Sequence, residues 1–436
     1  MMKRVSLSLL AMVAGAEALA QENTAQADAG VTAIMNATVH TISGDVIENG
    51  DVIIRDGRIA AIGPDLEAPA GANVIDASGK VVTPGVIAPL SALGLAEINL
   101  DAEANDISPD DDFPLGAALD AVDAFNPSST LIAVNRAGGV TRAFSSPSAG
   151  SSLFAGRGAV VDLSGAPSSV TKPQAAQTVV MGYSGAARAG DTRLGSWAVL
   201  RETLDEAAAY AANPFTYPAR AREDRFAIAD LKALGPVLRG DQPLIVYVYS
   251  ANEIRNLIRL KNDYRLNVII AGGTEAWVVA AELAEARIPV ILNPMANLPA
   301  QFEDLNATLK NAARLVEAGV SVGFFSPASG SHNLRALTQQ AGNAVAHGLE
   351  HDAALAALTL WPAQMLGING DLGSIDVGKI ADIVVWSGDP LELTSYAEAV
   401  FINGAAQSLE NRQTMLRDRY RYLSRGDLPH AYRGGE

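Results

Sequence analysis

Residues 243–325 alternate between two hydrophobic periodicities, and no other feature restricts the fold as much. Residues 243–249 (Pro-Leu-Ile-Val-Tyr-Val-Tyr) read as a buried strand. Ser250-Ala251-Asn252-Glu253 follows with capping-box spacing and opens a helix expected to run to Tyr264. Strands are then expected at 268–270, 289–292 and 320–325, with helices at 275–286 and 305–318 between them. Strands that are apolar throughout and separated by helices are buried on both faces, which is the signature of a parallel sheet. In a chain of 436 residues that pattern predicts an α/β fold, a (β/α)8 TIM barrel.

The two ends are strand-rich. Val52-Ile53-Ile54-Arg55 and Arg58-Ile59-Ala60-Ala61-Ile62 flank Asp56-Gly57, the strongest short hairpin signal. Residues 381–386 and 399–404 are further apolar runs bounded by turn residues. Residues 31–82 and 371–411 are therefore expected to build one composite β-sandwich domain around a barrel at 83–370. A net charge of −16 argues against a nucleic-acid partner. With no cysteine, the chain has no disulfide, thiolate nucleophile or cysteine metal site. Lys3-Arg4, an apolar run to Ala16 and the small-x-small site Ala18-Leu19-Ala20 predict a signal peptide at 1–20, export to a periplasm and no membrane span after cleavage. Residues 21–30 suit a flexible lead-in, and 412–436 form a basic, aromatic tail whose helical part is expected to be solvated.

Three runs carry a family resemblance. Pro84-Gly85-Val86-Ile87-Ala88-Pro89-Leu90-Ser91-Ala92 resembles the first barrel strand of the amidohydrolase superfamily, which there reads Pro-Gly-(Leu/Phe)-Ile-Asp-x-His-x-His. Residues 359–368 (Thr-Leu-Trp-Pro-Ala-Gln-Met-Leu-Gly-Ile) resemble the family's exit from the last barrel unit. Gly373-Ser374, Gly378-Lys379 and Ala381-Asp382 match its return into the small sheet. The nearest branch is the imidazolonepropionase-like group.

The resemblance implies one or two zinc or other divalent ions at the C-terminal ends of the strands, yet the matching positions lack the ligands. Leu90 and Ala92 stand where the histidine pair is expected, and Ala88 replaces the preceding aspartate. The fifth strand offers Tyr247 and Tyr249 for its histidine, and a phenol that titrates at about 10 is a poor zinc ligand at neutral pH. The sixth strand, near Trp277, has no histidine, and no Asp or Glu occurs from 318 to 349, where the eighth strand's aspartate belongs. Zinc lowers the pKa of its bound water to about 7, so its loss costs about 12 kcal/mol in making hydroxide. No metal site and no cofactor are therefore expected.

The remaining candidates are weak beside their structural readings. His347-Gly348-Leu349-Glu350-His351 spells a zinc-protease pattern, but Gly348 reads as a helix stop and the pattern needs a continuous helix. His332 is placed to pair with Ser326, Ser329 or Ser331 in a nucleophilic arrangement, without a nearby carboxylate in sequence to orient it. The acidic loop Asp101, Glu103, Asp106 and Asp110-Asp111-Asp112 fits no calcium-loop spacing and is expected to be solvated over the barrel mouth. The Gly/Ser-rich segment 145–161 reads as a loop and strand framing the pocket, with an anion cradle as the sharper alternative.

Two functions are compatible with these residues. One is an exported pseudoenzyme that has lost metal-dependent hydrolysis and serves as a ligand-binding module or as partner subunit to an active amidohydrolase relative. Its pocket would be lined by Leu90, Ala92, Tyr247, Tyr249, Trp277 and Ser329, and would take a small molecule or peptide. The other is a hydrolase of carbon–nitrogen bonds with a rebuilt site drawing on His332, Tyr247, Tyr249 and Ser326.

Overall fold

The Asp56-Gly57 turn forms as its sequence dictates: both residues take positive φ, 51° and 77°, and join β2 (Val46–Arg55) to β3 (Arg58–Pro64). The computed structural model describes residues 30–98, 101–110, 112–215, 217, 226–325 and 330–421. The export signal, residues 21–29 of the lead-in, Asp111, Ser326, Ser329 and the tail from 422 lie outside the described residues.

The hairpin belongs to a sheet made from both chain ends. With β1 (Thr32–His40), β4 (Asn73–Asp76), β5 (Val81–Pro84), β14 (Ile383–Trp386), β15 (Ala397–Ile402) and β16 (Ala405–Ala406), the order is β16-β15-β14-β5-β1-β2-β3, with β4 on β1. In place of two facing layers the strands form one path that curls. Ile59 N donates to Lys379 O at 2.9 Å and Gly378 N to Ile59 O at 2.8 Å, so β3 meets the approach to β14 although β5, β1 and β2 separate them along the ladder. The curl encloses Ile34, Val52, Ile59, Val82, Ile383 and Phe401, all buried.

The central sheet has eight strands: β6 (Val86–Ser91), β7 (Val140–Ser145), β8 (Phe154–Asp162), β9 (Val170–Val180), β10 (Leu244–Val248), β11 (Val268–Gly272), β12 (Val290–Leu292) and β13 (Val322–Phe324). It is a nearly closed α/β barrel. Alternate residues point inward, and Ile87, Phe144, Val160, Ile245, Ile269 and Ile291 fill the lumen above Met365 and Leu366. At the seam, the Gly323 position lies against the Pro89 ring. A proline without N–H cannot extend a ladder there.

The expected strand–helix alternation fails in one place. β8 is antiparallel to both β7 and β9. Its connections, residues 146–153 and 163–169, are rich in Ser, Gly and Pro and too short for a crossover helix, so the chain must turn back on itself. β9 to β10 is parallel again, after helices that include Arg193–Ala212.

The second half follows expectation more closely. Helix Ala251–Tyr264 is capped by Ser250, whose Oγ accepts from Glu253 N. The expected helix at 305–318 shortens to Asn311–Glu317. Asn306 explains the difference: its N and Nδ2 donate to Glu275 Oε1, and its carbonyl accepts from Trp277 Nε1. Backbone groups engaged by side chains are withdrawn from the helix.

Barrel and curled sheet are locked by charge. Arg142, on β7 and 1% exposed, donates to both Asp382 oxygens at 2.7 and 3.1 Å and to Asn403 Oδ1 at 2.6 Å, with Asp162 at 3.7 Å. Asp382 is the aspartate of the Ala381-Asp382 motif, so this motif residue has a structural task.

Candidate functional site

The strand ends open into a cavity of about 970 Å³ at the C-terminal mouth of the barrel. Its floor and near wall are Leu90, Ser91 and Ala92 from the end of β6. The β6–β7 ladder is irregular between Ala88 and Ser91, and Leu90 consequently joins the lumen cluster while Ala88 packs on the outer layer. Ala92 N donates to Ser331 Oγ at 3.2 Å, closing that corner.

Tyr247 and Tyr249 enter two residues apart from the end of β10, so both face the cavity. Gly272 permits this placement: its φ is +93°, and a Cβ there would sit 2.6 Å from the Tyr249 ring. Burial raises the Tyr247 phenol far above its ordinary range, and Tyr249 adds to the effect. Tyr249 is pushed up to about 12, first by burial and then by the Glu303 and Asp304 carboxylates. Both are neutral hydroxyls at physiological pH.

Glu303 and Asp304 were not among the sequence candidates. They sit on the long connection after β12, in the short turn Phe302–Asp304, and line the cavity with Thr274, Asn293 and Gln301. Glu303 is 6% exposed, and its Oε2 accepts from Tyr183 N at 2.9 Å. Burial raises its pKa against that hydrogen bond, with Glu253 and Asp304 pushing the same way as burial. Asp304 is raised by burial, opposed by Thr274, and its Oδ1 is buried without a hydrogen-bond partner. They are the cavity's only charged lining residues among those described; no Lys, Arg or His reaches it. A loop of this length after a barrel strand was the available signal, since catalytic and binding groups concentrate on such connections.

Other expectations need correction. Trp277 does not line the cavity. Gly272 and Gly273, both at positive φ, end β11 and turn the chain outward, and Trp277 lies beneath the Arg314 guanidinium at 4.1 Å. His332 ends a single 3-10 turn, is exposed and does not line the cavity, whereas its neighbour Ser331 does. His347 caps the helix Leu337–Ala346 and bonds Asn343 O, while His351 opens the next helix and pairs with Asp389, so the two share no helix. Among the described residues of the acidic loop, only Ile107 reaches the cavity; Asp101, Glu103, Asp106, Asp110 and Asp112 are exposed. From the Gly/Ser-rich segment, Ser146, Pro147 and Ser148 form part of the rim. Among the described residues, no three His, Cys, Asp or Glu side chains are grouped to hold a metal ion.

The Amidohydrolase family profile matches residues 247–415. Amidohydrolase tasK of Hapsidospora irregularis is 25% identical over 394 residues, covering 82% of this chain and 40% of that protein. The chain thus spans well under half of that relative's length. The crystal structure of an amidohydrolase from Thermotoga maritima MSB8 superposes with a TM-score of 0.77 at 28% identity, covering 87% of this chain and 100% of that one. A shorter likeness, 47% over 51 residues, links 10% of the chain to 12% of imidazolonepropionase from Geobacillus sp. (strain WCH70). With the barrel and its mouth, these likenesses make the chain similar to amidohydrolases in both sequence and fold.

Proposed function

We propose that this chain is a member of the amidohydrolase superfamily that has lost metal-dependent hydrolysis and keeps the barrel mouth as a ligand-binding site. One observation carries the reading: Leu90 and Ala92 line the cavity, and the resemblance of residues 84–92 to the family's first strand puts the histidine pair at these two positions. A methyl and an isobutyl group offer no lone pair, and the nearest replacements, Tyr247 and Tyr249, are held as neutral phenols. These residues do not fit a divalent zinc centre, which takes histidine, cysteine or carboxylate donors, and the cavity's two carboxylates, Glu303 and Asp304, are joined by no third such donor among the described residues.

The same reading extends to setting: an exported, periplasmic subunit whose partner is an active relative carrying an intact site. Among the described residues no helix is long and apolar enough to cross a membrane.

A rebuilt hydrolase is the competing reading. Its support is that Glu303 and Asp304, both with raised pKa values, face the cavity beside Tyr249 and Ser331, and a carboxyl held protonated can act as a general acid.

The full chain, assayed against dipeptides, N-acyl amino acids and cyclic amides with and without added zinc, separates these readings. No turnover above background is expected in either condition. Zinc-dependent turnover would overturn the proposal, and zinc-independent turnover abolished by Glu303→Gln or Asp304→Asn would establish the rebuilt site.

A further inference from the structure

We propose that the barrel-mouth cavity selects a small amphipathic cation: an amine or quaternary ammonium group on an apolar or aromatic body. This rests on the reading of the cavity as a ligand site and names the chemistry it would take.

Charge has a single sign here. Glu303 and Asp304 supply it, and no cationic side chain lines the cavity among the described residues; Arg193, which lowers the Glu303 pKa against burial, stands on the far side of Glu303 in an adjoining groove. Asp304 Oδ1 is buried with no hydrogen-bond partner, although a buried carboxylate oxygen left alone is costly. Glu303 has one backbone donor, from Tyr183. An incoming ammonium would meet both carboxyl groups where they line the cavity and make charge-assisted hydrogen bonds there.

Aromatic geometry points the same way. The Tyr249 ring lies against the Gly272 backbone and close enough to both carboxylates for their charge to raise its pKa. A phenol ring beside two carboxylates attracts cations through its face as well as through their charge. An anionic ligand would meet repulsion from both.

Apolar lining residues fix the body of the ligand. Leu90, Ala92, Phe325 and Met295 are apolar, and the volume of about 970 Å³ accommodates a molecule of drug or short-peptide size. At the rim Leu298 lines the cavity and Phe302 lies beyond it; they expose 79% and 88% of their surface on the same loop as the carboxylates. They offer apolar contact to a ligand that extends past the rim.

The test uses three probes with one body and different heads: phenethylamine, phenethyl alcohol and hydrocinnamate, titrated calorimetrically into the full chain at neutral pH. The amine is expected to bind about tenfold more tightly than the alcohol, with hydrocinnamate weakest. Asp304→Asn and the double variant Glu303→Gln/Asp304→Asn should bring the amine down to the alcohol's affinity while the alcohol stays within about twofold. Thermal melting of each variant confirms that it is folded. Equal binding of amine and alcohol would overturn the cation preference yet leave the cavity reading standing. An amine preference that survives in the folded double variant would place the binding elsewhere on this acidic protein and overturn the proposal. No binding of any probe would overturn both.

Discussion

Arg142 and the pair Glu303–Asp304 show how differently charges behave inside one molecule. Arg142 is matched: two Asp382 oxygens and Asn403 receive its donors, and Asp382 is the first cause that lifts its pKa against the cost of burial. Removing one member of such a group strands the others. Arg142→Ala should therefore cost about 3–5 kcal/mol, measured by chemical denaturation, and a loss below about 1 kcal/mol would contradict this account of the interface. Glu303 and Asp304 are under-matched, and burial raises both pKa values. A raised folded-state pKa gives stability that is complete below the unfolded values of about 4 and is lost as pH rises through the folded ones. The amide variant Glu303→Gln/Asp304→Asn escapes that loss. It should be more stable than the wild type by about 1 kcal/mol at neutral pH, a gap that closes as the pH falls toward about 4. A gap that is constant or reversed across the titration would show that burial is not what disfavours these carboxylates. If it holds, the chain retains carboxylates that weaken its fold, as binding sites commonly do.

At the scale of elements, the legible parts were those with a local physical cause. Asp56-Gly57 forms its turn because of its two positive φ angles, and Ser250 caps its helix with a hydroxyl three residues before Glu253. Pro84-Gly85 is legible as a motif, and its geometry explains the glycine: a Cβ at Gly85 would fall 2.2 Å from Thr141 Oγ1 where β5 passes into β6 beside β7. Gly85→Ala should destabilise the protein by about 1–3 kcal/mol through this overpacking, read from the denaturation midpoint; a neutral effect would mean that Thr141 yields freely. What stayed hidden depended on tertiary partners. β8 runs antiparallel because its connections are short, a fact visible in spacing but masked by an apolar composition that also suits a parallel strand. Trp277 faces away from the cavity because Gly272 and Gly273 turn the chain, and an aromatic residue near a strand end carries no such information by itself. Glu303 and Asp304 were hidden by a helix expected from 305, which Asn306 prevents through its bonds to Glu275 and Trp277.

On the scale of the whole molecule, a barrel similar to that of amidohydrolases surrounds a mouth lined by apolar and phenolic strand ends. The barrel carries the lumen core, the curled sheet joins both chain ends, and the Arg142–Asp382 pair couples them. The cavity is retained at the face where such barrels place their chemistry, but its strand ends present Leu90, Ala92 and two neutral tyrosines. Fold alone does not carry activity across a superfamily, so the strand-end residues decide. The proposed loss of the metal also has a stability consequence. A ligand bound only to the native state raises stability, so dialysis against a strong chelator should leave the melting temperature within about 1 °C, whereas a drop of several degrees would reveal a bound ion. The central claim is tested most directly by the metal content of the full chain, purified gently without chelator and measured by elemental mass spectrometry. Less than about 0.1 equivalent of any transition metal per chain is expected; about one or two equivalents of tightly held zinc would contradict the loss of the metal site and require ligands other than the strand-end residues Leu90, Ala92, Tyr247 and Tyr249.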